Sequence, residues 1–335
     1  MAYKKPSVPS VHFPKFFDKM PDLSGKTFAI TGTTSGTGKI AAQAIAQKGG
    51  RVLMLNRPSS RSNKAQETIS AAAPGVEVIT IDCDLQSFSS VRSAVEKINT
   101  ICAESGIYAL INNAGIMAMP DAATEDGFDT QMQTNHLSHF LLTQQLMPLF
   151  NKAAEIHGDA RIVNHSSMAR KGVKRLEAKY LEKNGGNLGG DSSNMLFGGR
   201  WIRYGQTKLA NAAFTAALHE KLQAKQSKVK ALVAHPGWAN TELQVTTDKQ
   251  GGMAWGASLI AKFASQSEED GTLGILSAAV LPNVESGMFY GPGMGMMASK
   301  GAAKPYPLEK QYDNPETIKL IWEKSCEAIG EDFEI

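Results

Sequence analysis

From Lys26 onward the chain alternates between short apolar runs and longer segments of helical period. The runs are TFAIT, RVLMLN, VEVITID, YALINN, ARIVNHS and VKALVAH. Each is rich in Val, Ile and Leu and lacks polar alternation, the pattern of strands buried on both faces of a parallel sheet. Between them the spacing predicts helices over Thr37 to Lys48, Arg61 to Ala72, Ser87 to Ala103, Phe128 to Phe150 and Tyr204 to Lys225. All are long enough for right-handed crossovers. The alternation predicts an α/β fold, a doubly wound parallel sheet in a single domain. Gly49-Gly50 ends the first helix and Pro74-Gly75 turns the chain into the third strand.

Two regions depart from this rhythm. Residues 1–22 read as an extended arm broken by Pro6, Pro9 and Pro14, with Phe13, Phe16 and Phe17 packed on the domain itself or else on a membrane or partner. Residues 168–203 carry Lys171, Lys174 and Arg175 and then the glycine-rich stretch GGNLGGDSSNMLFGG, an insertion or lid before the last predicted helix. The domain is expected over residues 23–290, with a C-terminal extension over 291–335.

Composition narrows the function classes. The 335 residues allow one domain or two, and 42% hydrophobic with 20% charged residues describes a chain that folds around a sizeable core. A net charge of +3 with scattered basic residues argues against nucleic acid as a partner. Cys83, Cys102 and Cys326 form no CxxC pair, which points to a reducing, intracellular and cytoplasmic setting and against disulfides or a metal site. No apolar run reaches the roughly 18 residues of a transmembrane segment, and no signal-peptide pattern is expected. Peripheral membrane contact and a homo-oligomer stay open.

Candidate chemistry begins just after the first strand, in Thr31-Gly32-Thr33-Thr34-Ser35-Gly36-Thr37-Gly38. The turn departs from the GxGxxG fingerprint, because three residues separate the first two glycines. Its job can be the same: Gly32 turns the chain, Gly36 lets backbone approach a pyrophosphate, and Gly38 lets helix lie close to strand. Thr33, Ser35 and Thr37 complete the loop, and the helix N-terminus offers N–H groups to phosphate. The second strand ends in Asn56-Arg57, where an NAD-binding domain offers a carboxylate to the ribose. Arg57 can pair with a 2′-phosphate instead, so NADP(H) is favoured over NAD(H); the alternative is a solvated Arg57 with Asn56 on the ribose. Asp84 and Leu85 follow the third strand as an adenine contact. Asn113-Ala114-Gly115 follows the fourth at the same sheet edge.

Tyr204 and Lys208 stand at i and i+4 in YGQTK, hence on one helix face. A phenol titrates near 10 and is a poor acid–base group at neutral pH unless a nearby cation favours its anion. In order along the chain come TGTTSGTG, NNAG, Asn135 in QTNHLSHF, Ser166-Ser167, YGQTK and Pro236-Gly237. This series resembles the short-chain dehydrogenase/reductases of Rossmann fold over about residues 24 to 290, and RIVNHSSMA with HPGWANTEL looks most like the retinol dehydrogenase and WW-domain-oxidoreductase branch. No WW module is present, and the hydrophobic N-terminal anchor of many retinol dehydrogenases is not evident.

The resemblance implies an oxidoreductase interconverting a carbonyl and an alcohol by hydride transfer. Tyr204 would exchange the proton with the substrate oxygen, Ser167 would hydrogen-bond that oxygen, and Lys208 would hold the nicotinamide ribose and lower the tyrosine pKa. Asn135 would kink its helix and place a water linking Lys208 to solvent. Pro236 and Gly237 would line the cofactor, and Thr241 would anchor its carboxamide. Ser166 is the alternative to Ser167. His136 and His139 read as a packed helix face rather than metal ligands, and His165 and His235 as core histidines at strand ends.

Met288, Met294, Met296 and Met297 are a candidate flexible substrate wall, or else a core or oligomer contact. Phe197, Trp201, Leu243, Val245, Met253 and Trp255 offer apolar surface around the expected pocket, which points to a lipophilic small molecule such as a retinoid, steroid or polyketide, while Lys171, Lys174 and Arg175 could meet an acid or simply solvate a loop. The other readings are an NADP(H)-binding sensor or scaffold without turnover and, more remotely, protochlorophyllide reductase.

Overall fold

The computed structural model describes residues 8–184, 186–194, 198–237, 247, 251–252, 266–293 and 299–335. The six apolar runs form β1 (Thr27–Thr31), β2 (Arg51–Asn56), β3 (Val78–Asp82), β4 (Ala109–Asn112), β5 (Ala160–His165) and β6 (Val229–Ala234). Two further strands join the sheet: β7 (Met288–Pro292) runs parallel to β6, and β8 (Ala303–Pro307) closes the edge antiparallel to β7. The order is β3-β2-β1-β4-β5-β6-β7-β8. The chain winds outward from β1 through β3, then returns to place β4 against the other side of β1, so the strand order reverses between β1 and β4. In open α/β sheets that reversal opens a crevice at the carboxyl ends of the strands.

Helices cover both faces, which is why the strands lack polar alternation. On one side lie α2 (Gly36–Gln47), α3 (Ser60–Ala72) and α7 (Glu268–Val280), over a core containing Phe28, Ile30, Val52, Met54, Val163 and Leu232. On the other lie α4 (Phe88–Ile101), α5 (Ser138–His157), α6 (Gly199–Ala224) and α8 (Pro315–Ile329), over Ala29, Leu53, Leu110, Ile162 and Val233. Successive strand residues point to opposite cores.

The arm is not extended throughout. Phe13–Asp18 forms a short helix, α1, with Pro14 tolerated in its first turn. Asp270 in the first turn of α7 holds its approach, accepting from Ser10 Oγ and from the N–H groups of Val11, His12 and Phe13, each at 2.9 Å. Phe13, Phe16 and Phe17 pack on the core beneath. The helix expected over Phe128 to Phe150 is also interrupted: a turn at Thr130–Met132 leads into a π-helical turn, Gln133–Leu137, before α5 runs to a left-handed Gly158 (φ 87°).

Tyr204 does not open its helix. α6 starts at Gly199, so the last residues assigned to the insertion belong to the helix itself, and the rest contains two 3-10 turns, Met168–Gly172 and Ala178–Leu181. Toward the C-terminus, α8 lays Trp322 against α5 and α6, its ring 5.5 Å from Phe140 and 6.3 Å from Phe214, with Phe333 at 4.8 Å. Among the described residues, no helix is long and apolar enough to cross a membrane.

Candidate active site

The cofactor-type turn is held by close packing. Gly32 has φ +73°, and a Cβ there would lie 2.9 Å from Ala114 Cα. At Gly38 a Cβ would lie 2.2 Å from Gly32 O and 2.4 Å from Asn113 Nδ2, so only glycine lets α2 meet the turn. Asn113 brackets three elements: its Nδ2 donates to Thr31 O at 2.9 Å and Gly32 O at 3.2 Å, and its Oδ1 accepts from Thr37 Oγ1 at 2.8 Å and faces His165 Nδ1 at 3.1 Å. The Ser35 hydroxyl makes no cap bond, and Gly36 stands at φ +58°, leaving the first-turn N–H groups of α2 able to meet an anion. The cradle fits a dinucleotide pyrophosphate.

Asn56 is committed to the turn: its Oδ1 accepts from Thr33 N at 2.8 Å, and its Nδ2 donates to Thr33 Oγ1 and Ser62 Oγ at 2.8 and 3.1 Å. Arg57 beside it is exposed. Asp84 accepts from Gln86 N–H at 3.0 Å; Leu85 is buried and its carbonyl takes the Ser138 hydroxyl at 2.7 Å. Gly115 lies where a Cβ would meet Asn135 Oδ1 at 3.2 Å and Lys208 Nζ at 3.3 Å. Pro236 O accepts from Gln266 Nε2 at 2.7 Å, and Gly237 (φ +65°) donates to His235 Nδ1 at 3.1 Å. Thr241, Phe197, Leu243, Val245, Met253, Trp255, Met294, Met296 and Met297 lie outside the described residues.

Ser167, Tyr204 and Lys208 converge at the carboxyl edge of β5. The Ser167 hydroxyl lies close enough to the Tyr204 phenol to favour its ionised form. Lys208 Nζ lies 5.8 Å from the centre of the Tyr204 ring and donates to His165 O at 3.0 Å. Ser166 is turned away, buried with its hydroxyl on Lys208 O at 2.7 Å. Gly205 lets the 3-10 turn after Ser167 rest on α6, since a Cβ there would stand 3.0 Å from Ala169 O. Asn135 sits in the π-helical turn; its side chain accepts from Ile116 N–H and donates to Ile116 O and Thr207 Oγ1, at 2.8, 2.9 and 2.9 Å.

Burial dominates the titration of the pair. It lowers the Lys208 ammonium to about 8 and raises the Tyr204 phenol to about 12, the Ser167 hydroxyl opposing the latter. The expected depression of the tyrosine by Lys208 is therefore not a property of the chain by itself: the ammonium is directed to a main-chain oxygen, and desolvation outweighs its field.

The four histidines are buried. His139 Nε2 meets Thr31 Oγ1 at 2.9 Å and its Nδ1 meets Asn135 O at 3.0 Å. Since Thr31 Oγ1 already accepts from Asn113 and Ala114 N–H, it donates to Nε2, which puts the ring proton on Nδ1. His136 Nε2 faces Ser325 Oγ of α8 at 2.8 Å. Met288 packs on the core, and Lys171 pairs with Glu309 at 3.2 Å rather than standing free for substrate.

Two buried arginines escaped the sequence pattern. Arg203, beside Tyr204, has Nη1 3.3 Å from Asp121 Oδ2 and Nε 3.4 Å from Asp129 Oδ2, and donates to the carbonyls of Met119, Leu188 and Gly190. Burial raises Asp129 to about 6 despite the opposing Met132 N–H and Arg203. Arg170 follows Ser167 by three residues and binds Glu309. Trp201 sets its ring edge-on to Tyr204, centroids 6.0 Å apart.

Residues 26–180 match the family model described as short chain dehydrogenase. An uncharacterised oxidoreductase of Schizosaccharomyces pombe is 34% identical over 229 residues, 68% of this chain and 64% of that protein. Retinol dehydrogenase 12 of Mus musculus is 30% identical over 324 residues, 93% of this chain and 89% of that protein. The crystal structure of an uncharacterised protein from Mycobacterium Paratuberculosis superposes with a TM-score of 0.73 at 28% identity, covering 98% of this chain and 100% of the other. More distant structures with the same fold carry NADH in a 3-ketoacyl-(acyl-carrier-protein) reductase from Brucella melitensis (TM-score 0.57, 20% identity, 78% and 95% covered) and NADPH in L-sorbose reductase from Gluconobacter frateurii (0.56, 19%, 77% and 90%).

Proposed function

The chain belongs to the short-chain dehydrogenase family, on the branch of the retinol dehydrogenases, and from that membership we propose that it is an NADP(H)-dependent oxidoreductase interconverting a carbonyl and an alcohol on a lipophilic small molecule. One observation carries the proposal: the phenol of Tyr204, the hydroxyl of Ser167 and the ammonium of Lys208 meet at one buried corner beside a glycine cradle. The exposed Arg57 at the end of β2 supports the 2′-phosphate preference, and the similarity to retinol dehydrogenase 12 supports a lipophilic substrate.

In the direction of reduction, Ser167 would hold the carbonyl oxygen by a hydrogen bond as negative charge develops there. Tyr204 would give that oxygen its proton. When bound, NADPH would supply a hydride to the carbonyl carbon, so that the product alcohol would gain one hydride and one proton. Lys208 would steady the resulting phenolate and bind the ribose hydroxyls, and Asn135 O, which already receives His139 Nδ1, has a second lone pair for a water leading the replacement proton to Lys208. An NADPH-rich cell would drive the reaction toward the alcohol.

A screen of NADPH oxidation against aldehydes, ketones, retinoids and steroids tests the function. Tyr204→Phe is expected to lower turnover by roughly 100- to 10,000-fold while leaving NADPH affinity intact. Full turnover in that variant refutes the mechanism. A wild-type protein that binds NADPH and reduces nothing in the panel points to the sensor instead.

A further inference from the structure

Ser167 opens the 3-10 turn Met168–Gly172, and its position is braced from outside that turn. Its carbonyl accepts from Arg170 N–H at 3.2 Å and from Arg170 Nη1 at 3.1 Å, while its hydroxyl accepts from Ala169 N–H at 3.2 Å. The Arg170 side chain is 1% exposed, and a buried guanidinium requires a fixed counter-charge. Glu309 supplies it from 139 residues away in a two-pronged pair, Nε to Oε2 at 3.1 Å and Nη2 to Oε1 at 2.9 Å.

The rest of the C-terminal segment reinforces that grip. Gln311 Nε2 donates to Arg170 O at 3.2 Å and Val173 O at 2.6 Å, closing the far end of the turn. The Arg170 guanidinium lies 4.4 Å from the Phe289 ring of β7, on which Tyr306 of β8 stacks at 4.9 Å. Burial pushes the Glu309 carboxyl up, but Arg170 and Lys171 outweigh it and hold the group below the usual carboxylate range. Glu309 therefore stays charged at neutral pH.

We infer that Glu309 is a positioning residue for Ser167: acting through Arg170, it fixes the serine carbonyl and so the direction of the hydroxyl toward Tyr204. The C-terminal segment thereby becomes part of the active-site geometry, rather than only a cover on the sheet edge. The inference rests on the proposal that Ser167 meets the substrate oxygen.

The test is a double-mutant cycle read with NADPH and 4-nitrobenzaldehyde as the carbonyl probe. Glu309→Gln preserves volume but turns an amide donor toward the guanidinium. It is expected to lower kcat about ten-fold, as small misplacements of a reacting group do, with NADPH Kd unchanged. In a Ser167→Ala background the same substitution should cost less than about two-fold, because groups acting through one another are not additive. Equal losses in both backgrounds, or none in either, overturn the positioning role while leaving the function standing. Full turnover in Ser167→Ala alone overturns the assignment of the serine and the inference with it.

Hydrogen exchange provides a readout that needs no substrate. In Glu309→Gln, and in Glu309→Asp whose shorter carboxylate cannot reach both nitrogens, residues 166–172 should exchange faster while the β1–α2 turn is unchanged. Unaltered exchange over 166–172 in both variants overturns the brace.

Discussion

The ammonium of Lys208 donates to the main-chain oxygen of His165 at 3.0 Å, and the same oxygen receives Asn211 Nδ2 at 3.0 Å. The lysine is thus anchored to the end of β5, one strand residue before the Ser166-Ser167 pair, with its charge beneath the Tyr204 ring. Burial holds it near 8, so it carries its proton through neutral pH and loses it just above. The Tyr204 phenol, near 12, keeps its proton throughout that range.

For the proposed reduction, kcat/KM is expected to be level near neutral pH and to decline above about pH 8 as Lys208 is neutralised, by up to ten-fold per unit. Lys208→Arg cannot lose its charge in that range; it should be slower overall but lack the alkaline limb. A pH–rate profile of both proteins checks this, and an alkaline limb persisting unchanged in the arginine variant assigns the titration elsewhere.

Arg57 stands exposed at the end of β2, while the neighbouring Asn56 is spent on Thr33 and Ser62. A charge-assisted contact to a 2′-phosphate is worth roughly 1.5–3 kcal/mol, or about 10- to 150-fold in affinity. Arg57→Ala should weaken NADPH by that factor and leave NADH nearly untouched. Parallel titrations of the two cofactors decide it; equal NADPH affinity in the variant removes the phosphate role.

Acid should unfold this protein early. Burial lowers His136, His165 and His235 to about 3 and His139 to about 4, against an ordinary value of 6.5. Folded-state values below the unfolded one mean that the unfolded chain takes up the protons. The stability from keeping these rings neutral is complete above pH 6.5 and is lost as pH falls toward 3 to 4. Each ring contributes about 1.4 kcal/mol per pH unit in that window. Denaturant midpoints should therefore drop steeply from pH 6.5 to 5, with proton uptake on unfolding; a flat midpoint across that interval contradicts the buried neutral state.

Much of the sheet's carboxyl edge was legible in the sequence because its signals are local. The unbroken apolar runs mark strands covered on both sides, Gly32 and Gly38 mark backbone that no side chain can occupy, and Gly36 marks a left-handed turn (φ +58°). Tyr204 and Lys208 share a face because four residues separate them. Less legible were β7 and β8, whose MFYGP and AKPYP carry proline and glycine in place of a Val/Ile run. The interrupted helix at Asn135 left no mark on the apolar spacing; the kink there was implied only by the family resemblance.

By itself the sequence determined the layer order, the glycine cradle and the spacing of the Tyr204–Lys208 pair, all of which follow from residues close together along the chain. Tertiary structure alone decided that Asn113 ties β1, α2 and β5 together, that Ser166 faces away while Ser167 meets Tyr204, and that Glu309 reaches Arg170. These are single long-range contacts that polar side chains make with one another or with main-chain oxygens. Periodicity reports which face of an element is buried; only folding brings together the one partner, 139 residues away in the case of Arg170, that makes a buried charge tolerable.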